Sequence, residues 1–589
     1  MAYKLSKSLA LLLLASLFTL DVRSATVDEA FIKLSEQYID QFPPLHPVAA
    51  TALGDHRFDD RIDEVGPDAV AKEVAFCKQY LERLRRISRD ELSRANQVDY
   101  SLLSHKLEAR IFSLETLREW EWNPTVYTGL AGSSVYSLMA REFAPREQRL
   151  NHVAKRLEQF PRLFKQIQAT LIPKLSPQIH AETAVKQNRG VISILKNMVE
   201  PHIATLPGDE RTRLIDAIDL AKAVVDEHQK WLENEVLPNA SGDFRLGVEK
   251  YDRKLFFTLN SSLTRQQVLE RAQSELKRVR EEMHSISKEV YRKTYPFTTF
   301  PPNPSPEHQQ AIIRAGLELA YRDVPAADEI VATAKKSLAE TTAFVRERDL
   351  VTVPDDPLEI IVMPEFQRGV SLAYCDSPGA LDVGQKTFYA VAPLPKHWDD
   401  KQINSFLREY NIRSIHDLTI HEAMPGHFLQ LAHSNRYSGK LRAVLSSGTF
   451  IEGWAVYTEQ VMADEGFLDH DPLMKLIALK WYLRGIANAI LDQAIHTVGF
   501  TRDQAMKLMM EDTFQEEREA AAKWVRAQLT SAQLSTYFVG YQEHVDMRKA
   551  IEESWGDSFQ LKRYHDTVLS YGSPPVKYVK ALVLNQQIP

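Results

Sequence analysis

The chain contains very little cysteine: Cys77 and Cys375 are the only two in 589 residues. A chain of this length buries enough apolar surface to fold without covalent cross-links, so a disulfide-stapled scaffold is excluded. The two cysteines lie far apart in the sequence and could pair in an oxidising compartment. The sequence leaves open whether they do.

Long runs of basic residues are also absent, and the formal net charge is −7. Proteins that bind nucleic acid need clustered Lys and Arg to contact the phosphates, which argues against nucleic acid as the main partner. The contents of 44% hydrophobic and 26% charged residues are ordinary for a folded domain. The composition therefore indicates a globular protein and not a disordered one.

The N-terminus carries a charged and then apolar segment. Lys4 and Lys7 precede an apolar run over 9–20, and small residues follow up to Ser24. The run is too short to span a bilayer comfortably, so residues 1–24 are predicted to be a signal peptide cleaved after Ser24. The alternative is an uncleaved N-terminal anchor. Because no Cys lies near the cleavage site, we expect a periplasmic or secreted protein with neither a lipid-modified N-terminus nor stable membrane insertion.

Most of the chain after residue 26 has apolar residues at helical spacing, which predicts a mainly α fold. There is no fixed-period repeat and no long low-complexity linker, so a tandem array is not expected. The Pro-rich segment 295–308 is the best candidate for an internal connection. We therefore expect a helical N-terminal half, 25–300, and a C-terminal half, 301–589, that form one continuous unit.

The β-strand signal is confined to two short segments. LEIIVMPEF (358–366) and KTFYAVAPL (386–394) are rich in β-prone residues and bounded by Pro, Asp and Gly. They predict a small antiparallel sheet just before the segment that carries the strongest chemical motif.

That motif is HEAMPGHFLQ, which begins at His421. In the zinc motif H-E-x-x-H the two histidines are four residues apart and face the same side of a helix. Here His427 comes six residues after His421, and on a regular helix their directions would differ by roughly 120°. Pro425 and Gly426 can open the helix and return His427 to the same face. The alternative is that two unrelated histidines end one helix and begin the next.

A possible third ligand lies in FIEGWAVYTE (450–459). Zinc hydrolases of the glutamate-zinc type take two His from one helix and a Glu from the next, which leaves one position open. Glu452 fits this role. Glu459 lies seven residues later on the same helix face and is predicted to hydrogen-bond a ligand histidine. The alternative for Glu459 is a solvated surface carboxylate.

The pair HEAMPGHFLQ and EGWAVYTE resembles the bacterial family catalogued as domain of unknown function 885. The likeness extends over most of the chain, from ATALGDHRFDDR (50–61) to YHDTVLSYGSPPV (564–576). The resemblance implies a helical, channel-bearing fold similar to neurolysin and angiotensin-converting enzyme, with dipeptidyl peptidase III as a precedent for a lengthened zinc motif. It does not imply a substrate. The stretch 481–496 departs from the usual spacing of the family, which leaves roles there unassigned.

With Zn²⁺ held by His421, His427 and Glu452, the pKa of a bound water falls toward about 7. Glu422 is then predicted to act as the general base and as proton donor to the leaving amine. Late helices are expected to supply groups that stabilise the transition state. The candidates are His496, Tyr537, Tyr541 and His565.

Other residues are predicted to bind the substrate. Arg484 and Arg548 are candidates for a carboxylate clamp, because Arg binds carboxylates in a bidentate manner. The alternative for both is an ordinary solvated Arg. The segment 386–394 is a candidate edge strand that pairs with an extended peptide, with Tyr389 lining the cleft. An ordinary protected edge is the alternative for this strand.

These features predict an exported zinc metallopeptidase that acts on peptides, and on short ones if the site lies in a deep channel. One alternative is a non-catalytic periplasmic binding or scaffold protein of the same fold. The other is a zinc hydrolase of a different amide, such as an isopeptide or an acylated amino acid. Oligomeric state and substrate sequence are not predicted.

Overall fold

A computed structural model describes residues 26–363, 373–395 and 398–589, so the predicted signal peptide, 1–24, lies outside the described residues. The prediction of a mainly helical fold is confirmed. Residues 26–41 form the first described helix. The other helices of eight or more residues up to 300 are Pro67–Arg85, Arg94–Phe112, Pro124–Met139, Arg146–Leu157, Phe160–Thr170, Gln178–Ile194, Gly208–Trp231, Gly247–Leu259 and Arg265–Thr294.

Helices also dominate the remainder of the chain. Those of eight or more residues are Pro306–Ala320, Ile330–Glu347, Asp400–Glu409, Ile412–Glu422, His427–Ser434, Gly448–Asp464, Pro472–Thr497, Glu517–Leu529, Ser535–Trp555, Leu561–Leu569 and Val576–Val583. The shorter helices are Pro47–Leu53, Glu119–Trp122, Leu237–Asn239, Lys440–Val444, Phe467–His470 and Arg502–Lys507.

The described strands form one small sheet in the order β1-β3-β2, with β1 at Leu358–Val362, β2 at Ala373–Asp376 and β3 at Thr387–Val391. The two predicted strands are β1 and β3, and they pair in parallel. β2, which was not predicted, pairs antiparallel with β3. The sheet is therefore mixed, whereas an antiparallel sheet was predicted. The predicted first strand extended to residue 366, and its last three residues lie outside the described ranges.

The largest hydrophobic core crosses the predicted boundary at residue 300. It contains buried residues from Tyr251 to Val579, including the sheet and the helices that carry the zinc motif. The helix Arg265–Thr294 packs against Pro472–Thr497, so the last part of the predicted N-terminal half belongs to the C-terminal core. A second core contains buried residues between Val48 and Val236.

A third core joins the beginning and the end of the chain. Its buried residues between Phe31 and Leu107 pack against Leu441, Leu445, Tyr578, Ala581 and Ile588. The two halves are thus connected by packed apolar side chains as well as by the chain itself.

A buried ion pair supports this connection. Arg442 is fully buried, and its Nε donates to Asp99 Oδ1 at 2.6 Å. Its Nη2 donates to the carbonyl of Ala95 at 2.8 Å, and its Nη1 to that of Tyr571 at 3.1 Å. One guanidinium therefore satisfies groups from both ends of the chain.

We expect Arg442→Met to lower the free energy of unfolding by about 3–5 kcal/mol, because it leaves the carboxylate of Asp99 buried without its cation. Thermal and urea midpoints measure the loss. The matched control is Arg85→Met, which removes an exposed ion pair with Glu108 and should change the midpoints little. Equal midpoints for the two variants would contradict the expectation.

Candidate metal centre and active site

The two residues inserted into the zinc motif are accommodated by a tight loop between two helices. The first helix ends at Glu422 and the second begins at His427. The amide of Gly426 donates to the carbonyl of Ile420 at 2.9 Å. The acceptor lies six residues earlier in the chain, whereas in an α-helix it lies four residues earlier. A Cβ on Gly426 would lie 2.0 Å from the His421 carbonyl oxygen, so only glycine fits this close approach.

The loop brings the two histidines together, as the motif predicts. The ring centroids of His421 and His427 are 4.6 Å apart, and the rings are nearly perpendicular. The indole Nε1 of Trp454 donates to the carbonyl of Pro425 at 2.9 Å. The helix that carries Glu452 is therefore bonded directly to the loop that positions the histidines.

The helix Gly448–Asp464 also lies very close to Ser535–Trp555. A Cβ on Gly453 would lie 2.3 Å from the carbonyl carbon of Gly540, so both helices need glycine at their crossing point. This contact fixes the position of Glu452, which is adjacent to Gly453 in the sequence.

The ligand atoms of His421, His427 and Glu452 all lie within 4.8 Å of one another. Glu452 Oε2 is 3.7 Å from His421 Nε2 and 3.5 Å from His427 Nε2. In a tetrahedral zinc site with bonds of about 2.0–2.1 Å, neighbouring ligand atoms are about 3.3 Å apart. The donor set and its spacing thus fit a zinc ion, with small inward shifts of the side chains.

Glu459 orients the first of these ligands. Its Oε1 is 2.6 Å from Nδ1 of His421, and only 2% of Glu459 is exposed. With the proton on Nδ1, the lone pair of Nε2 faces the other ligand atoms. The alternative of a solvated surface carboxylate is therefore wrong.

The charges around the histidines favour a cation. Burial by itself would lower the pKa of His421, but the carboxylates of Glu452 and Glu459 raise it well above the ordinary value. Asp417 is fully buried, neither of its carboxyl oxygens has a partner among the described residues, and burial raises its pKa. Several acidic groups therefore share one buried region, where a divalent ion would offset their mutual repulsion.

Glu422, the predicted base, lies next to the sheet. Its Oε2 accepts a hydrogen bond of 2.8 Å from the amide of Cys375, which belongs to the edge strand β2. Burial raises the pKa of the Cys375 thiol to about 12, so this thiol stays protonated. Both cysteines are free, which answers the question of their pairing.

His421, Glu422 and Glu459 line a cavity of about 1250 Å³. This is larger than most small-molecule pockets and has room for several amino-acid residues. Its walls combine apolar and charged groups. The aromatic side chains in the lining are Trp398, Phe406, Tyr410, Trp481 and Tyr537.

Comparison with known proteins places the chain in a family. It matches the family described as "Bacterial protein of unknown function (DUF885)" over residues 47–583. The chain belongs to this family. No curated protein matches it.

Two solved structures are similar to this member of the family. One, described as "a putative lipoprotein of unknown function" from Shewanella oneidensis, is 32% identical with a TM-score of 0.79, covering 94% of this chain and 99% of that one. The other, described as "the putative lipoprotein from Colwellia psychrerythraea", is 18% identical with a TM-score of 0.76, covering 95% and 99%. The second likeness shows a shared fold alone.

Arg484 and Tyr537, two of the predicted site residues, line the cavity. Arg484 ion-pairs with Glu519, lies 3.7 Å from Glu409 and stacks on Trp481 at 4.2 Å, so its charge is already compensated. Tyr537 accepts a hydrogen bond from Arg526 Nη2 at 3.2 Å, and Glu452 and His421 are among its charged neighbours.

Tyr389, Tyr541 and Arg548 are placed elsewhere. Tyr389 lies on the central strand and not on an edge; it is fully buried, with its hydroxyl 3.2 Å from Thr419 Oγ1. Tyr541 packs on Tyr482 at 4.3 Å, one helical turn beyond Tyr537. Arg548 donates to the Tyr457 hydroxyl at 3.4 Å.

The structure does not place His496 or His565 with the candidate metal ligands. His496 borders a separate cavity of about 300 Å³, and its Nε2 donates to the Thr530 carbonyl at 2.8 Å. His565 bonds the Leu350 carbonyl at 2.7 Å and the Tyr457 hydroxyl at 2.9 Å. Burial lowers the pKa of His496 to about 4 and that of His565 to about 3, so both are neutral at pH 7.

Sequence reasoning missed Lys523, Arg526 and Glu519, which line the cavity from the helix Glu517–Leu529. Their spacing places them on one helix face. In a sequence, such a charged face is typical of a solvated surface, so no signal marked it as part of a cavity.

We expect Gly426→Ala to reduce both metal content and stability, because a Cβ there overlaps the carbonyls of Ile420 and His421. Metal analysis and thermal unfolding measure the two effects. Gly129→Ala is the matched control, since a Cβ on this exposed helical glycine meets nothing within 4 Å. Normal metal content and an unchanged midpoint in Gly426→Ala would refute this account of the loop.

We expect Glu459→Ala to weaken metal binding about 10–100-fold, because it removes the acceptor that orients His421. Competition with a chromophoric chelator gives the affinity. Glu553→Ala, at an exposed position on another helix, is the control. An affinity equal to that of the control would show that Glu459 does not orient the ligand.

Proposed function

We propose that this protein is an exported zinc-dependent metallopeptidase that hydrolyses peptide bonds, preferably in short peptides. The observation that carries the proposal is the convergence of His421, His427 and Glu452, with Glu422 beside them on the wall of a peptide-sized cavity. Three protein ligands with an adjacent carboxylate are typical of catalytic zinc sites and not of structural ones, which have four protein ligands.

Zinc held by these three residues supplies Lewis-acid activation of water and of the peptide carbonyl. Glu422 accepts the proton of the attacking water and passes it to the leaving amine. The amide of Cys375 holds the Glu422 carboxylate in one orientation for both transfers. Tyr537 is the best-placed donor for the developing oxyanion, because it lines the cavity close to His421 and Glu452.

Location outside the cytoplasm follows from the N-terminal segment, whose charged and apolar regions are typical of a signal peptide. None of the described helices combines the length and the apolar character needed to cross a membrane. The relative from Shewanella oneidensis, described as a putative lipoprotein, supports a site of action outside the cytoplasm, although this chain has no Cys at the predicted cleavage site for a lipid.

A non-catalytic metal scaffold is the main competing function. Such a protein would gain nothing from Glu422, whose carboxylate lines the cavity next to the ligands and is not among the three ligand residues. A zinc hydrolase of another amide would use the same groups, so substrate trials must decide between the two enzymes.

We expect the purified mature protein to hold about one zinc ion per chain. Glu422→Gln should retain the metal and lower kcat at least 100-fold, because it removes the base but none of the ligands. Metal analysis and mass-spectrometric digestion of a peptide library, with and without chelator, provide the measurements. Absence of any transition metal, or full activity of Glu422→Gln, would overturn the proposal.

A further inference from the structure

Lys523 is a buried amine that has no ion-pair partner among the described residues. Only 7% of its surface is exposed, and its side chain lines the large cavity. It makes no hydrogen bond or ion pair within residues 26–363, 373–395 and 398–589. Burial and the nearby Arg484 lower the pKa of Lys523 to about 7, which fits an amine without a counter-ion that an anionic ligand would hold in its protonated form. Such a group is costly unless it serves to bind something.

The acidic groups near Lys523 are engaged by other cations. Glu519 forms its ion pair with Arg484. Glu409 accepts a hydrogen bond from Lys480 at 2.7 Å, and both of these side chains are buried. Lys523 therefore remains outside the ion pairs that these carboxylates form.

Arg526 adds a second cation. It lies three residues after Lys523 on the same helix, and it donates to the Tyr537 hydroxyl at 3.2 Å and to Gln533 Oε1 at 3.0 Å. It forms no ion pair with any carboxylate of the described residues. A negatively charged ligand in this part of the cavity can therefore meet both a lysine and an arginine.

Arg526 connects these cations to the candidate metal ligands. Glu452 is one of the charged neighbours of Arg526, and Tyr537, to which Arg526 donates, also neighbours His421. Lys523, Arg526 and His421 line the same cavity. A carboxylate bound by the two cations therefore shares this cavity with a peptide bond held at the candidate ligands.

We propose that Lys523 and Arg526 bind the α-carboxylate of a peptide, so that the enzyme removes residues from the C-terminus. This inference rests on the proposed peptidase function and specifies its substrate class. An acidic side chain of the substrate offers the same carboxylate chemistry, and the experiment separates the two sources.

The test uses the zinc-loaded mature protein and three versions of one short peptide. The first has a free C-terminal carboxylate, the second a C-terminal amide, and the third an amide with Glu as its last residue. We expect kcat/KM for the free acid to exceed that for the plain amide at least tenfold, because a charge-assisted hydrogen bond is lost in the amide. The Glu-containing amide should resemble the plain amide.

Variants of Lys523 test its role directly. Lys523→Met should lower the ratio of acid to amide toward one, mainly through KM, whereas Lys523→Arg should keep most of the ratio. Lys507→Met, at an exposed lysine on a neighbouring helix, is the matched control and should retain the full ratio. Because Lys523→Met removes an unpaired buried amine, it should not lower the thermal midpoint. A change in the ratio of acid to amide would then not be due to loss of folding.

A binding measurement separates this inference from the proposed activity. Calorimetry with Glu422→Gln should give at least tenfold tighter binding of the acid than of the amide, and Lys523→Met in that background should abolish the difference. Equal affinities and equal rates for acid and amide would overturn the inference while leaving a peptidase. Rapid cleavage of the Glu-containing amide would assign the cations to a side chain instead. Acid-selective binding without hydrolysis would retain the carboxylate site and reject the enzyme.

Discussion

The candidate metal centre depends on the close approach of Gly426 to the carbonyls of Ile420 and His421. Without that approach the helix would continue, and an imidazole six residues after His421 would point to a different side. The six-residue hydrogen bond between Gly426 and Ile420 replaces the helical bond and keeps the backbone satisfied inside the core. Trp454 then ties this loop to the helix that supplies the carboxylate ligand.

Acidic side chains surround the histidine that the backbone positions. Glu452 and Glu459 approach His421 from different sides, and Asp417 adds a buried carboxyl group whose pKa burial raises. Such a concentration of acidic groups is expensive in an apolar core. A bound cation offsets much of that cost, and this is the physical link between the fold and the proposed zinc chemistry.

Much of the candidate metal centre could be predicted from the sequence, because its residues lie in two short segments with strong local constraints. The spacing of His421, Pro425, Gly426 and His427 indicated a kinked motif, and the seven-residue step to Glu459 indicated a shared helix face. The mainly helical fold also followed from periodicity. In each of these cases the information is local.

Contacts between distant segments were less predictable. Tyr389 is on a central strand because β2, a strand of four residues, pairs beside it, and so short a segment has no clear periodicity. Tyr537 and Tyr541 differ by one helical turn, yet the first lines the cavity and the second packs on Tyr482. Lys523 resembled a surface residue because its cavity is formed by helices remote in sequence.

The contact between Gly453 and Gly540 couples two parts of the centre that have different tasks. Glu452 precedes the first glycine, and Tyr537 lies one turn before the second, so a single crossing point sets the separation of the candidate ligand and the proposed oxyanion donor. A bulkier residue at either position would move both groups at once. Sequence changes that alter what the cavity accepts are therefore expected away from this crossing, in the side chains of the outer cavity wall.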